Sequence, residues 1–254
     1  MKATVRDSAV AACQALRERL GEISTADAAD HLRMLGVSHI VMRDIRALVP
    51  VRGTMAGLAR TLRFLPDRED VGHSPSGPVN RVLYDTVNSG EVLVLDAMGC
   101  TTKAVLGDMM FARLQSRQIA AVVVDGAVRD VPVIAESGIP IFARGSCPEA
   151  FMTWLRPWEA DCAIQCGGVL VKPGDWILAD AEGVIVVPGD KAERLAEQAE
   201  KKRSRDAFSK ALLAAGFPLD DAYPLPAYML RFEGRFAANG RLPTEAEVRE
   251  ARTR

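Results

Sequence analysis

The feature that most constrains the fold is an unbroken apolar run that ends in charged residues. Residues 120–130 read AAVVVDGAVRD, so the run leads into an Asp-Gly turn and then into Arg129 and Asp130. An apolar run of this kind is typical of a strand that is covered on both faces. It therefore predicts a sheet with a buried centre, and it places two opposite charges just beyond the end of a buried strand.

Helical and strand-like segments alternate on both sides of this run. Apolar residues recur at helical spacing over residues 5–20, which predicts a first helix. A capping signature at Ser24 predicts the start of a second helix, and this helix ends near Gly36. The alternation that follows is typical of an α/β fold with parallel strands. We predict strands at 53–65, 91–97, 120–126 and 139–145, helices at 80–89, 109–119 and 131–137, and loops at 66–78 and 98–108.

The remainder of the chain has a different pattern. Short apolar segments cut by Gly, Pro-Gly-Asp and Glu-Gly turns predict a β-meander over residues 162–188. A long charged amphipathic helix is predicted at 190–215. Thr244 and Glu247 have the spacing of a helix cap, so a last helix is expected near the C-terminus.

Composition and charge restrict the class of protein. The chain has 254 residues, 48% of them hydrophobic, which is enough for one large domain or for a domain with an extension. Its formal net charge of −1 suggests neither a nucleic-acid surface nor a membrane-binding face. We see no signal-peptide pattern and no apolar run that could span a bilayer, so we expect a soluble, cytoplasmic protein.

The cysteines do not form a zinc pattern. Only Cys162 and Cys166 are close together, and no histidine follows them at ligand spacing. We interpret the cysteines as reduced thiols that serve as small core residues. They are Cys13, Cys100, Cys147, Cys162 and Cys166.

Two pairs of residues are predicted to meet at one edge of the sheet. Gly107 and Asp108 precede the helix at 109–119, Arg129 and Asp130 follow the buried strand, and twenty residues separate Asp108 from Arg129. That spacing spans one helix and one strand, so both loops open at the carboxyl ends of neighbouring strands. Open α/β sheets bind their ligands at this edge.

Each of these residues has a chemical use at such an edge. A helix that begins near Met109 offers free backbone N–H groups to a carboxylate or an enolate oxygen. Arg129 offers a fixed fork of donors, and Asp108 and Asp130 offer hard oxygen ligands to Mg²⁺ or Mn²⁺. The alternative is a turn closed by a surface salt bridge between Arg129 and Asp130, which would contribute little.

The spacing of Gly107-Asp108 and Arg129-Asp130 resembles the signature of the RraA-like family. The segments TADAADHLRMLG, GIPIFARG and CGGVLVKPGDWILADAEGVIVVP follow the family order, so the resemblance covers residues 25 to about 216. The family includes class II pyruvate aldolases for 4-hydroxy-4-methyl-2-oxoglutarate and 4-carboxy-4-hydroxy-2-oxoadipate, and RraA, a regulator of ribonuclease E.

The resemblance implies a fold, a domain division and an assembly. The fold is an α/β fold, an α-β-β-α sandwich of the swivelling-domain type. Residues 1–216, with the N-terminal helices, form the catalytic domain, and residues 217–254 form a C-terminal extension. The assembly is a homo-trimer or a hexamer made of two trimers, with active sites between subunits.

The resemblance also implies a role for each residue of the motif. Asp130 binds a divalent metal, Mg²⁺ or Mn²⁺. Arg129 holds the carboxylate or the keto oxygen of a pyruvoyl group, and Asp108 holds a metal-bound water. Gly107 and the backbone amides of Met109 and Met110 contact the substrate.

In the aldolases an acid on the last long helix of a neighbouring subunit completes the water shell of the metal. Asp206 matches it best, because it lies ten residues before Gly216, and Glu200 is the alternative. Lys103, in the loop before Gly107, either recognises a second acid group of the substrate or is solvated. His73 either contacts the substrate from the 66–78 loop or is solvated there.

These implications lead to an expected function. We expect a metal-dependent lyase that cleaves a C–C bond of a small 2-oxo acid through a pyruvate enolate, with oxaloacetate decarboxylation as a side activity. The alternatives are a dehydratase acting on sugar-derived keto-acids and a non-catalytic regulator that binds a protein partner. The presence of Asp108, Arg129 and Asp130 together favours the enzyme, because a binding surface does not need them.

Overall fold

Strands and helices alternate through most of the chain in the order that the sequence predicts. The computed structural model describes residues 2–70 and 79–253, so His73 and most of the predicted 66–78 loop lie outside the described residues. The strands are β1 (Arg46–Ala47), β2 (Met55–Pro66), β3 (Val92–Ala104), β4 (Ala121–Val128), β5 (Ile141–Ser146), β6 (Leu155–Ala160), β7 (Ile164–Cys166), β8 (Val169–Val171), β9 (Trp176–Ala179) and β10 (Val184–Val187). The helices are α1 (Lys2–Gly21), α2 (Thr25–Met34), α3 (Val79–Thr86), α4 (Asp108–Ser116), α5 (Val131–Ala135), α6 (Ala192–Ala214), α7 (Leu219–Ala222), α8 (Leu230–Asn239) and α9 (Glu245–Arg252).

Parallel pairing of β2, β3, β4 and β5 forms the centre of the main sheet, as predicted. The strand order is β1-β5-β4-β3-β2-β9-β10, and β6 pairs with β2. β3 and β4 pair in a register that sets Val92 opposite Ala121 and Asp96 opposite Asp125. Every residue of β4 is buried, which agrees with a strand covered on both faces.

Alternate residues of the central strands enter two cores on opposite faces of the sheet. Leu93 and Leu95 pack with the buried side chains of α3, α4 and α5, whereas Val92 and Val94 pack with β7, β8, β9 and β10. This alternation follows from the period of two in a strand. Full burial of each such side chain stabilises the fold by about 1.5–3 kcal/mol relative to exposure.

Beside the main sheet, the structure has a second sheet layer and two further helices, α1 and α2. β2 belongs to both layers, because residues 55–58 pair with β9 and residues 59–63 pair with β3. α2 packs against β10, and nearby Asp180 accepts hydrogen bonds from the N (2.8 Å) and the Oγ1 (2.7 Å) of Thr25. The layers thus run helix, sheet, sheet, helix, which confirms the predicted α-β-β-α sandwich.

Two local predictions are wrong. Residues 98–104, predicted as part of a loop, continue β3, and register shifts around Cys100 let this strand keep pairing with β4. Residues 98–102 are exposed or half-buried, so no apolar run marks them. β6 was not predicted because Pro157 interrupts a segment in which only half of the residues are apolar, a composition that an edge position on β2 tolerates.

The chain divides into two compact units, Met1–Ala196 and Glu197–Arg254. In the second unit, the predicted capping box at Thr244 and Glu247 is present, and the Arg235 guanidinium lowers the pKa of Glu247 to about 2. The predicted boundary at residue 216 concerns function and stays a prediction. No helix within the described residues is both long and apolar enough to cross a membrane.

All five cysteines are free thiols, and the predicted core position is confirmed for Cys166. Cys166 is buried and the others are half-buried. Burial raises the pKa of the Cys166 thiol well above its ordinary value, so this side chain behaves as a small neutral core residue.

A buried carboxylate ties β4 to the second sheet layer. Asp125 is fully buried, and its Oδ1 pairs with Nε of Arg144 on β5. Its Oδ2 accepts hydrogen bonds from Nε2 of Gln165 (2.7 Å) and from the backbone N of Gly167 (2.9 Å). Gly167 must be glycine, because its φ is +56° and a Cβ would lie 2.8 Å from the backbone N of Arg43.

We predict that Asp125→Asn lowers the free energy of unfolding by about 2–4 kcal/mol, because Arg144 loses its buried charged partner and keeps only the exposed Asp44, and because a new N–H₂ group faces hydrogen-bond donors. Urea denaturation measures the change. Asp161→Asn is the matched control, since Asp161 pairs with Arg60 at 2.7 Å but has a side chain that is 44% exposed. The control should lose less than about 1 kcal/mol. Equal losses in the two variants would contradict the role of Asp125.

Candidate active site

The two predicted loops lie side by side at the carboxyl ends of β3 and β4. Asp108 is the first residue of α4, and Asp130 is the N-cap residue of α5. The backbone N of Val105 donates to the O of Ala127 (3.0 Å), and the N of Arg129 donates to the O of Leu106 (2.9 Å). These bonds continue the pairing of the strands into the loops, so the loops are held at a fixed separation.

The carboxylate of Asp130 brings the predicted residues together. Its Oδ2 accepts a hydrogen bond from the backbone N of Asp108 (3.2 Å) and lies 3.3 Å from Nε of Arg129. Asp130 has a φ of +58°, in the left-handed region that aspartate tolerates better than most residues. This conformation turns the chain directly from the end of β4 into α5.

Gly107 allows this close approach. It is the N-cap residue of α4 and has an extended backbone with φ −139°. A Cβ at this position would lie 2.7 Å from Nε of Arg129 and 2.8 Å from Oδ2 of Asp130. Any larger residue would therefore push these two side chains away from the start of α4.

The ion pair between Arg129 and Asp130 leaves most of the guanidinium available. The two side chains are 42% and 35% exposed, so their attraction contributes little to stability. The contact uses Nε of Arg129, and no described residue accepts a hydrogen bond from its two terminal nitrogens. These nitrogens form the part of the fork that binds a carboxylate in a bidentate manner.

The start of α4 supplies backbone donors next to Arg129. The N–H of Met109 donates to Oδ1 of Asp108 (2.7 Å). One of the two amides that were predicted to contact the substrate is therefore hydrogen-bonded to the Asp108 side chain in this structure. For the N–H of Met110 we find no acceptor among residues 2–70 and 79–253. The first amides of a helix lack partners within the helix and carry its positive end.

These groups open onto a cavity of about 160 Å³. Gly107, Asp108 and Arg129 lie on its polar side. The rest of its wall is apolar and consists of Ala104, Val105, Leu106, Met109, Met110, Ala150, Phe151 and Met152. The cavity therefore combines a small charged end with a larger apolar wall.

Lys103 is not part of this wall. Its side chain is buried, its Nζ pairs with the carboxylate of Glu149, and it lies 4.5 Å from the centre of the Trp154 ring. The alternative of a solvated Lys103 is therefore wrong. A contact between Lys103 and a substrate stays a prediction, and it would require this side chain to leave Glu149.

The donors present fit a hard divalent cation that keeps part of its water shell. No group of three or more His, Cys, Asp or Glu side chains suited to a metal occurs within the described residues. Asp130 and Asp108 supply two carboxylates at one edge, and Mg²⁺ is commonly held by one or two carboxylates and several waters. Both described contacts of the Asp130 carboxylate use Oδ2, which leaves Oδ1 as a ligand.

The predicted acid from a neighbouring subunit lies in the second compact unit. Asp206 is on α6, where its Oδ2 is 3.8 Å from Nζ of Lys202 one turn earlier. A half-buried pair at this long distance contributes little, so the carboxylate can exchange its partner at small cost. Its role toward another copy of the chain stays a prediction.

Sequence reasoning missed the segment that closes the cavity from the side of Ala104. The N of Ala104 donates to the O of Glu149 (2.7 Å), and the N of Phe151 donates to the O of Ala104 (3.0 Å). This pairing places Phe151 and Met152 in the wall. The sequence around them, CPEAFMTW, has neither a strand period nor a helix period, so no signal marked it.

Comparison with known proteins identifies the family of this chain. The model of the RraA-like (aldolase/RraA) family matches residues 25–186. A Halalkalibacterium halodurans protein with the provisional name 4-hydroxy-4-methyl-2-oxoglutarate aldolase is 37% identical over 128 residues, which cover 50% of this chain and 60% of the relative. A Xanthomonas campestris pv. campestris protein with the same provisional name is 30% identical over 164 residues, which cover 64% of this chain and 90% of the relative.

A solved structure extends the likeness to the fold. Streptomyces coelicolor RraAS2, described as an unusual member of the RNase ES inhibitor RraA protein family, superposes with a TM-score of 0.71 at 35% identity. The superposition covers 77% of this chain and 95% of that structure. The chain therefore belongs to the RraA-like (aldolase/RraA) family.

Proposed function

We propose that this chain is a divalent-metal-dependent lyase that cleaves a C–C bond of a 2-oxo acid and leaves a pyruvate enolate. The observation that carries the proposal is the placement of Arg129 and Asp130 against Gly107 at the start of α4. A surface salt bridge would need neither this close approach nor the left-handed backbone of Asp130. The provisional names of the aldolase relatives support the same class of reaction.

Arg129 and the start of α4 have complementary roles in the proposed reaction. The two terminal nitrogens of Arg129 bind the carboxylate of the pyruvoyl group. The amide of Met110, and that of Met109 once the Asp108 side chain turns away, donate to the keto oxygen. Negative charge grows on that oxygen as the C–C bond breaks, so these donors stabilise the transition state more than the ground state.

Asp130 and Asp108 are the residues that would hold the metal. Asp130 would be a direct ligand, Asp108 would act through water, and Asp206 of a neighbouring copy is the proposed third acid. When bound, Mg²⁺ or Mn²⁺ would supply Lewis acidity to the reaction.

The likeness to RraAS2 supports a second candidate function, a regulator that binds a protein partner. A regulator has no need of an arginine fork beside two carboxylates, so we favour the lyase. An assay of pyruvate release from a panel of 2-oxo acids, with Mg²⁺ or Mn²⁺ and with or without chelator, separates the two. A dehydratase would consume a keto-acid without releasing pyruvate.

We predict that Asp130→Asn reduces metal-dependent turnover by at least about 100-fold and leaves the fold intact, because asparagine tolerates positive φ but lacks the charge that binds the cation. Pyruvate release and the melting temperature measure the two effects. Asp44→Asn is the matched control, since Asp44 has the same φ of +58° but pairs with Arg144 at 3.3 Å rather than with Arg129. Full activity of Asp130→Asn, or of the wild type in excess chelator, would exclude the metal role.

We predict that Arg129→Lys lowers kcat as well as raising KM, because one ammonium group cannot replace the planar fork. The lost contact is typically worth about 2–4 kcal/mol, or roughly 30- to 1,000-fold in kcat/KM. Steady-state kinetics on any cleaved 2-oxo acid measures it. Arg113→Lys is the control, because Arg113 lies on α4 but pairs with Asp85 at 2.7 Å and does not line the cavity. Near-normal kcat/KM in Arg129→Lys would remove the substrate-binding role.

We predict a trimer or a hexamer whose subunits share active sites, with Asp206 acting on a neighbour. Light scattering measures the assembly. Asp130→Asn and Asp206→Asn should each be inactive alone, whereas subunits mixed by unfolding and refolding together should regain part of the activity. A monomer in solution, or no recovery in mixed assemblies, would leave the Asp206 role without support.

A further inference from the structure

We infer that the substrate is a 4-hydroxy-2-oxo acid with one carboxylate and an apolar group beyond C4. This inference rests on the proposed lyase function and specifies its substrate class. The relatives that carry provisional aldolase names are named for a substrate with two carboxylates. The cavity of this chain has a mostly apolar wall, which does not suit a second carboxylate.

The charges of the cavity are confined to one end. Among the described residues that line it, Arg129 is the one cation and Asp108 is the one acid. If Arg129 binds the carboxylate of the pyruvoyl group, no other cation of this wall is left for a second carboxylate. The side chains that remain are all apolar, and the larger ones include the thioethers of Met109, Met110 and Met152 and the ring of Phe151.

Lys103 does not supply the missing cation. It is the lysine nearest in sequence to Gly107, yet its side chain is buried, paired with Glu149 and placed over the ring of Trp154. Breaking this pair would leave a buried ammonium without its charged partner, which is unfavourable. Within one subunit, a second carboxylate therefore has no inexpensive partner in the described part of this wall.

The same wall favours an alkyl group. A carboxylate placed against Met109, Phe151 and Met152 would lose water without gaining hydrogen bonds, and Asp108 would repel it. An alkyl group placed there would be removed from water against flexible thioethers that adapt to its shape. The charge distribution thus discriminates between substrates that differ only at the far end.

The reaction on such a substrate balances without a co-reactant. The C3–C4 bond of R–CH(OH)–CH₂–CO–COO⁻ breaks, and its electron pair moves to C3 to form the pyruvate enolate. The hydroxyl proton on C4 leaves to a base as the C4–O bond becomes the carbonyl of an aldehyde R–CHO. One proton then adds to C3, so the products are R–CHO and pyruvate.

A matched pair of acids tests the inference. 4-Hydroxy-2-oxohexanoate and 4-hydroxy-2-oxoadipate differ only in a terminal methyl group or carboxylate, and both yield pyruvate on cleavage. We expect kcat/KM for the hexanoate to exceed that for the adipate by about tenfold or more, since burial of an unpaired carboxylate is strongly disfavoured.

Two methionine variants test whether the cavity wall causes the preference for the hexanoate. Met152→Lys places a cation in the wall and should shift the ratio of kcat/KM values toward the adipate by about tenfold. Met34→Lys is the matched control, because Met34 on α2 is 68% exposed, like the 67% of Met152, and lies outside the cavity. The control should leave the ratio unchanged. An unchanged ratio in Met152→Lys would show that this wall does not face the substrate's far end and would overturn the inference.

Exchange of the C3 protons of pyruvate in D₂O separates failure of the substrate class from failure of the function. Exchange requires the enolate but no group beyond C3. If pyruvate exchanges its C3 protons but the hexanoate is not preferred, the substrate inference alone is overturned. The same holds if pyruvate exchanges its protons and neither acid is cleaved. Absence of both exchange and cleavage overturns the lyase proposal and this inference together.

Discussion

The buried carboxylate of Asp125 is the constraint on which the rest of the structure depends. A fully buried charge is tolerable only when its oxygens are hydrogen-bonded, and Asp125 draws these donors from β5, from β7 and from the turn at Gly167. A slip of one residue in β4 would exchange Asp125 for a valine or a glycine and would turn every side chain to the other face. The register of β4 is thereby fixed, and with it the place where Arg129 and Asp130 leave the sheet.

Asp125 also affects its neighbour in the sheet. Asp96 lies opposite it on β3, and burial together with the Asp125 charge raises the pKa of Asp96. β3 then leaves regular pairing beyond Asp96 and regains it near Ala104. This irregular segment delivers Gly107 and Asp108 to the edge where β4 ends. β3 and β4, which pair at the buried Asp96 and Asp125, therefore lead into the two loops that form the candidate site.

The sheet imposes the local backbone geometry of the candidate site. Asp130 adopts a left-handed backbone, and Gly107 omits the Cβ that would separate α4 from Arg129 and Asp130. Such conformations persist where the surrounding structure holds them, and they place groups before a ligand arrives. In the proposed reaction, substrate preference is set by side chains that the catalytic geometry leaves free, such as Met109 and Met152. A family scaffold can in this way keep one chemistry while it changes the far end of its substrate.

The sequence by itself determined the central parallel strands and the motif, whereas the layered sandwich was implied by the family resemblance. Unbroken apolar runs predicted β3 and β4, and one helix and one strand between Asp108 and Arg129 placed both at one edge. Both inferences depend on local periodicity, which the sequence records directly. Tertiary structure decided the continuation of β3, the edge strand β6, the Asp125 network, the pairing of Lys103 with Glu149 and the wall at Phe151 and Met152. These features depend on contacts between residues distant along the chain, and the choice of partner there is made by packing and by the cost of leaving a buried charge unpaired.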